Sequence, residues 1–409
     1  MKILYVCHRI PFPPNRGGKI RPFHMIEHLS RKHSVTVASL AHSQRELEEA
    51  QGLGKHCEQV LADVLPSPQR WMQAGVSLLS SKPSSVAYFW SRRLAGMIRK
   101  AAEEKSFDAI FVHCAFAAQY VLDLRCPLRI LDFGDIDSAK WFEYANSRSF
   151  PLSLGYRLEA EKLRRYERHL ASQFDVCTAT TQGELEELRS FGVPVRSTVI
   201  SNGVDLSYFQ PRPENPRNSA VLVFLGRMDY FPNIDGAIFF ANEVFPLIRK
   251  VVPQAEFRIV GSDPARAVRS LAGIPGVSVT GHVPDVRPYL MDAAVAVAPL
   301  RIARGTQNKI LQFLAMGVPV VSTTTAAKGV GATPGRHFLV ADGAEEFAAQ
   351  VLRLMQDPGL RETLSIAGRE PLPTAHSWPA SMKILDSLLE KGPGRTGEPE
   401  TTGFRAVTK

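Results

Sequence analysis

Two adjacent glycines, Gly17 and Gly18, lie in a basic, proline-stiffened stretch, PFPPNRGGKIRP, directly after the apolar opening MKILYVC. Without side chains they let backbone approach a ligand closely. A helix starting near Lys19 would aim unpaired N–H groups and the positive end of its dipole into the same space. An anion is the natural occupant. The spacing is neither G-x-G-x-x-G nor G-x-x-x-x-G-K-[ST], so the dinucleotide and P-loop readings lose their main support. A Gly-Gly pair after a strand also serves as a plain turn.

A second stretch, PLRIARGTQNKILQFLAMGVPVVST, places Arg301, Arg304, Gly305 and Thr306 after an apolar run and before a helix that starts near Gln307 and ends at Gly317. Gly305 and Thr306 would offer backbone donors at a helix N-terminus. Lys309 and Gln312 are three apart and share one face. A cation beside a neutral hydrogen-bonding group suits a phosphate next to a hydroxyl-rich group; a solvated surface lysine is the alternative. In FLGRMDYFPNIDGA, Arg227 follows a strand directly, where its guanidinium could bind phosphate bidentately or pair with Asp229 as a structural clamp. Asp135 and Asp137, in DFGDIDSAKW, also fall at a strand end. Either could receive an acceptor proton; the rival role is capping the helix SAKWFEYA, for which Asp137 or Ser138 would serve, and capping is expected for at least one.

The elements that must position these groups are legible as alternation. KILYVC, SVTVASL, DAIFVHC, LRILDF and DVCTAT precede residue 181, and AVLVFLG, EFRIVGS, GVSVTGHV, AVAVAPL and VPVVST follow it, with helical patterns between. Such runs are buried parallel strands, and the double alternation predicts an α/β chain of two doubly wound, Rossmann-like domains. The expected boundaries are 1–203 for the first domain and 204–370 for the second. A helix over 371–392 would return toward the first domain, and a disordered tail would occupy 393–409. A proline-rich hinge is expected near 202–218. Two strand-end anion sites joined by a hinge would suit a diphosphate ligand in the cleft.

Composition narrows the partners. The net charge of +9 divides as +5 over residues 1–210 and +4 over the rest, with no basic arm. That balance suits an anionic partner, but without zinc spacing or an aromatic-basic RNA motif it argues against nucleic acid. The 5 cysteines are an odd number with no C-x-x-C pair, and free thiols in a reducing compartment are expected. MKILYVC is too short for a signal segment and no run of membrane-spanning length occurs, so a cytoplasmic protein is expected. Residues 69–105 mix Trp71, Phe89 and Trp90 with Lys82, Arg92, Arg93, Arg99 and Lys100. The mixture could rest on an anionic membrane at the inner face of the plasma membrane. The alternative is two helices packing their aromatics against the sheet.

Six segments in order carry a resemblance: RGGKIRPFHMIEHLSRKHSVTVASL, VISNGVD, FLGRMDYFPNIDGA, FRIVGSDP, VTGHVPDVRPYLMDAAVAVAPL and ILQFLAMGVPVVST. Over roughly residues 1–392 the chain resembles the GT-B glycosyltransferases of family 4. LDFGDIDSAKW and GTQNKILQFLAMG make it most similar to the sugar transferases that accompany exosortase (PEP-CTERM) and exopolysaccharide systems. The resemblance implies a nucleotide-sugar donor held by the second domain and a glycan or lipid-linked acceptor held by the first. It also implies retention of anomeric configuration, with neither metal nor other cofactor.

By position, Gly17 and Gly18 match the family's glycine loop near the diphosphate, and Arg227 its phosphate-binding arginine. Gly261 falls beside the nucleotide, Val283 near the base, and Gly305 and Thr306 at the distal phosphate and donor sugar. His113, in DAIFVHCAFAAQY, matches a histidine near the sugar's reacting end, a strand-end histidine with a purely structural hydrogen bond being the alternative. The family's two glutamates eight positions apart are replaced by Arg304 and Gln312. Gln312 can still accept from ribose hydroxyls, whereas Arg304 cannot act as an acceptor. The usual lysine after Gly-Arg is missing near Pro232 and Asn233, and Lys309 is expected to supply the lost cation. The rivals are a GT-B-like nucleotide-sugar epimerase and a non-catalytic nucleotide-sugar or glycan-binding member of a polysaccharide assembly complex.

Overall fold

The apolar runs of the first half become seven strands: β1 (Lys2–Cys7), β2 (Ser34–Ala41), β3 (Gln59–Val64), β4 (Ala109–His113), β5 (Leu128–Gly134), β6 (Val176–Ala179) and β7 (Arg196–Val199). β1, β4 and β5 are buried over almost their whole length, as strands covered on both faces must be. The sheet order is β3-β2-β1-β4-β5-β6-β7, parallel at each pairing. The order reverses between β1 and β4, and there Cys7 stands in register with His113. Ligands of open α/β sheets bind beyond the strand ends at such a switch point.

A second parallel sheet follows, from β8 (Asn218–Leu225), β9 (Glu256–Val260), β10 (Val277–Val279), β11 (Ala293–Ala298), β12 (Val320–Ser322) and β13 (Leu339–Val340). Its order, β10-β9-β8-β11-β12-β13, reverses between β8 and β11.

The computed structural model describes residues 1–15, 17–211 and 217–392. Among the described residues, one compact unit is Met1–Ile200 with 384–392, and the other is Ser201–Lys383. The division falls between Ile200 and Ser201, where a break at residue 203 was expected. Residues 202–204 are not a bare hinge. Val204 bridges Ser377 and its amide donates to the His376 carbonyl at 2.8 Å. Gly203 is required by this packing, since a Cβ there would lie 2.5 Å from the Trp378 nitrogen. Residues 212–216 of the expected linker and the expected tail, 393–409, lie outside the described residues.

In the first unit, α1 (Gly17–Leu29) begins at the glycines themselves. Lys19 turns inward, its Nζ 2.7 Å from Glu46 and donating to the Phe12 carbonyl at 3.2 Å. Residues 69–105, expected as two helices, form parts of three: α2 (Ser67–Ser77), α3 (Ser84–Tyr88) and α4 (Arg92–Glu104). Pro83 precedes α3, and the Ser91 hydroxyl caps α4 by accepting from the Leu94 amide. Phe89 stacks on Phe116 and Trp90 on Tyr120, both in the short helical segment Ala115–Tyr120 that follows β4. Trp71 does not pack this way and is 68% exposed. α5 (Asp137–Asn146) and α6 (Leu152–Ala171) follow.

Neither Asp137 nor Ser138 caps α5, contrary to expectation. The position before the helix is Ile136, and two carboxylates distant in sequence take the amides instead, Glu184 that of Ile136 at 2.6 Å and Glu167 that of Ser138 at 3.2 Å. The second unit contributes α7 (Phe231–Phe239) and α8 (Asn308–Ala315), and α9 (Trp378–Lys391) is shared between the units, dividing after Lys383.

Candidate functional site

In the first unit the switch point is organised by Asp132. This fully buried carboxylate on β5 accepts from Arg21 Nε and Nη2 on α1, at 2.8 and 2.7 Å. It also accepts from Thr178 on β6 at 2.7 Å and lies 2.8 Å from His113 Nδ1 on β4. Burial alone would raise its pKa. The Arg21 charge and hydrogen bonds, with those of His113, outweigh burial and hold the carboxyl well below the usual range. Arg21 further donates to the Ile200 carbonyl at 2.6 Å. His113 is therefore fixed in orientation, with Nδ1 turned to Asp132 and Nε2 on the opposite side of the ring.

The His8 ring lies 6.1 Å from that of His113, and Arg9, His42 and Lys140 are the further charged neighbours of His8. Burial first, then the charges of these neighbours and His113, depress the His8 pKa well below its ordinary value, so His8 is neutral. Asp135 accepts from Thr180 at 2.9 Å. Asp137 is lifted to about 6 by burial, against the pull of Lys140 and with a push from Asp135. Glu167 is lifted to about 8, by burial and then by Asp137. Gly17 and Gly18 are exposed at the start of α1, and the space beside Gly18 is open.

In the second unit, β8 leads through Gly226 into Arg227. The end of β9 approaches so closely that a Cβ on Gly261, whose φ is +150°, would lie 1.7 Å from the Gly226 carbonyl oxygen. Gly261→Ala is expected to lower stability by about 1–3 kcal/mol, measured as a reduced denaturant midpoint. Arg227 takes the clamp form: it donates to Asp229 at 3.0 and 2.5 Å and lies 3.1 Å from Asp263. Hydrogen bonding to Asp229 raises its pKa.

Lys309, near the start of α8, is no solvated surface lysine. Its Nζ donates to Asn233 Oδ1 at 2.5 Å and sits 4.5 Å over the Phe224 ring. Asn233 in turn donates to the Arg227 carbonyl at 2.8 Å. Among the described residues Lys309 makes no ion pair, and burial pushes its amine down to about 7. α8 starts at Asn308, just after Gly305 and Thr306. The Thr306 hydroxyl is buried with no hydrogen-bond partner among the described residues, and the Arg304 carbonyl accepts from Gln307 at 3.0 Å. Gln312 is half-buried one turn beyond Lys309. Val283, two residues after Gly281 with φ +70°, packs partly buried against the core of this unit.

The residues chosen from sequence thus gather at two switch points, His113 and Asp135 with the glycines in one unit, and Arg227, Gly261, Lys309 and the Arg304–Thr306 turn in the other. Sequence reasoning missed Asp132, Arg21, His8 and Glu167. The available signal was a charged residue inside an otherwise apolar element: Asp132 in LRILDFG and Arg21 on the inward face of α1.

Among known proteins, residues 17–208 match the model described as Glycosyltransferase Family 4, and residues 219–357 the model described as Glycosyl transferases group 1. The chain is 26% identical over 252 residues to a GDP-mannose-dependent monoacylated alpha-(1-6)-phosphatidylinositol monomannoside mannosyltransferase of Corynebacterium glutamicum. That match spans 55% of this chain and 65%, less than two thirds, of the relative. Sucrose-phosphate synthase from Thermosynechococcus elongatus superimposes with a TM-score of 0.71 at 15% identity, covering 96% of this chain and 99% of that one. Anabaena HepE in complex with UDP-glucose does so with 0.66 at 16% identity, covering 95% and 100%. Two Rossmann-like domains of the GT-B fold are the shared architecture.

Proposed function

We infer that this chain, which carries the family 4 and group 1 domains of a glycosyltransferase, transfers a sugar from a nucleotide-sugar donor to a glycan or lipid-linked acceptor. The observation that carries the reading is Lys309, a half-buried amine that has no carboxylate partner among the described residues, beside the β8–β11 switch point. Its Nζ reaches Asn233, beside the position where the family's usual lysine is missing. A cation there supports neutralisation of the diphosphate as the glycosidic bond breaks, a role in which no metal is required. The amides at the start of α8 would serve the phosphates and Gln312 the ribose hydroxyls. Arg227 would have to exchange Asp229 and Asp263 for phosphate.

On the acceptor side, the reading assigns His113 Nε2 to polarising the acceptor and Asp135 to taking up its proton. Retention of anomeric configuration and a place in exopolysaccharide assembly belong to the same proposal. The donor of the Corynebacterium relative is named as GDP-mannose and the Anabaena complex holds UDP-glucose, so the base stays a question for binding.

The test is a calorimetric and thermal-shift screen of the full chain against UDP-, GDP-, ADP- and dTDP-sugars, with wild type and Lys309→Ala. One donor class should bind wild type and fail to bind the variant. Folded wild type that binds none of them would overturn the reading in favour of a non-catalytic role. The amine titrates near 7 in the free protein and must be charged to hold a diphosphate. Above that pH, binding should therefore take up a proton. At about pH 8 the observed heat should vary with the ionisation enthalpy of the buffer, and at about pH 6 it should not.

A further inference from the structure

We propose that the outward face of α2, the loop after it and the first half of α6 form one surface that docks on an anionic lipid membrane. α2 is turned inside out relative to an ordinary surface helix. Its buried face is anchored by Arg70, 2% exposed, which donates to the Leu65 carbonyl at 2.5 Å and lies over the Tyr88 ring at 5.6 Å. Ala74 and Ser77 share that face. Its outward residues include Trp71, Met72 and Val76, and the chain continues into Leu78 and Leu79, the last 97% exposed.

α6 extends the same apolar surface. Lys162 Nζ on α6 donates to the carbonyls of Ser77 and Leu78, at 3.3 and 3.0 Å. Glu159 accepts the amides of Ser84 and Ser85, at 2.9 and 2.8 Å. The 77–85 loop is thereby laid along the middle of α6. One and two turns back from Lys162, and close to its face, Leu158 and Leu154 are exposed. Among the described residues, 9 of the 15 exposed large hydrophobic side chains fall within 71–79 and 150–158. Scattered single residues would need no explanation, but a joined patch does.

Charge identifies the occupant. No acidic residue lies between Asp63 and Glu103, while Lys82, Arg92, Arg99 and Lys100 do, Arg70 being buried and Arg93 lying 3.7 Å from Asp63. On α6, Arg157, Arg164, Arg165 and Arg168 are exposed against Glu161 alone, because Glu159 and Glu167 are buried. Exposed Trp and Leu set among cations of one sign is the composition that partitions into the headgroup boundary of anionic bilayers. A second copy of the chain docking on the same face would bring cations against cations. No described helix is long and apolar enough to cross a membrane.

The experiment is vesicle flotation of the full chain with phosphatidylcholine alone and with about 30 mol% phosphatidylglycerol. Wild type should float with the anionic vesicles only, and about 0.5 M salt should weaken the binding. Leu78→Ser with Leu79→Ser and Leu158→Gln should lower the bound fraction about tenfold, as should Arg157→Glu with Arg164→Glu. Thermal shift and donor calorimetry on the same variants should match wild type. They show that the variants are folded and separate this surface from the donor reading, whose residues lie elsewhere. Wild type that stays with the lipid-free fraction would overturn the proposal, as would unchanged flotation of the triple variant. A dimer abolished by the triple variant, without vesicle binding, would assign the face to a second copy instead.

Discussion

Lys309→Met should lower kcat/KM for the donor about 100- to 1000-fold, the range seen when one preorganised charge-stabilising donor is lost. Methionine keeps an unbranched stem over Phe224 and removes only the charge, so the fold should be retained. The wild-type amine is charged below about 7 and increasingly neutral above it. Wild-type kcat/KM should therefore fall as pH rises through that value, and the variant's profile should lack that limb. The two readouts together separate a charge acting on the diphosphate from a lysine that merely fills space. A variant with wild-type kcat/KM and the same alkaline limb would remove Lys309 from the site.

Asp132→Ala should be the most destabilising single change in the first unit, by about 3–5 kcal/mol, because it leaves the Arg21 guanidinium buried without its partner. Denaturant unfolding measures it directly. Replacing both partners, Arg21→Met with Asp132→Leu, should recover much of the loss, since no charge is then stranded. The Asp132 carboxyl is held well below its unfolded value of about 3.9. Its stabilisation is therefore fully present above that value and is lost as pH falls toward the folded one. Acid unfolding of wild type should accordingly be steep below about pH 4, and that of the double variant shallower. Asp132→Asn keeps the shape but not the charge that orients His113, and should reduce kcat more than KM if His113 acts on the acceptor.

The parts of the fold that could be read from sequence are those where burial leaves a local trace. β11 is apolar throughout, and β4 is apolar up to its terminal His113, because both faces are covered, and both were found. β3, half-buried at a sheet edge, and β13, two residues long, carry no such run. Lys309 could be singled out because a cation was missing elsewhere in the pattern, yet its pairing with Asn233, 76 residues away, has no local signature. The same holds for Arg21 and Asp132, 111 residues apart. The capping of α5 failed as a prediction for a related reason: the motif was local, and the acceptors that displaced it come from Glu167 and Glu184. Distance in sequence, more than chemistry, separates what was legible from what was not.

The latch at Val204 and Ser377 has a consequence for how the chain is made. The second unit enters and leaves through neighbouring backbone, so in topology it is an insertion within the first, whose own chain resumes only at Ile384. During synthesis the inserted unit is contiguous and has its whole sheet before the ribosome reaches α9. The first unit must wait for that helix, whose Asp386 accepts from His28 of α1 at 2.7 Å. The unit made first is thus completed last.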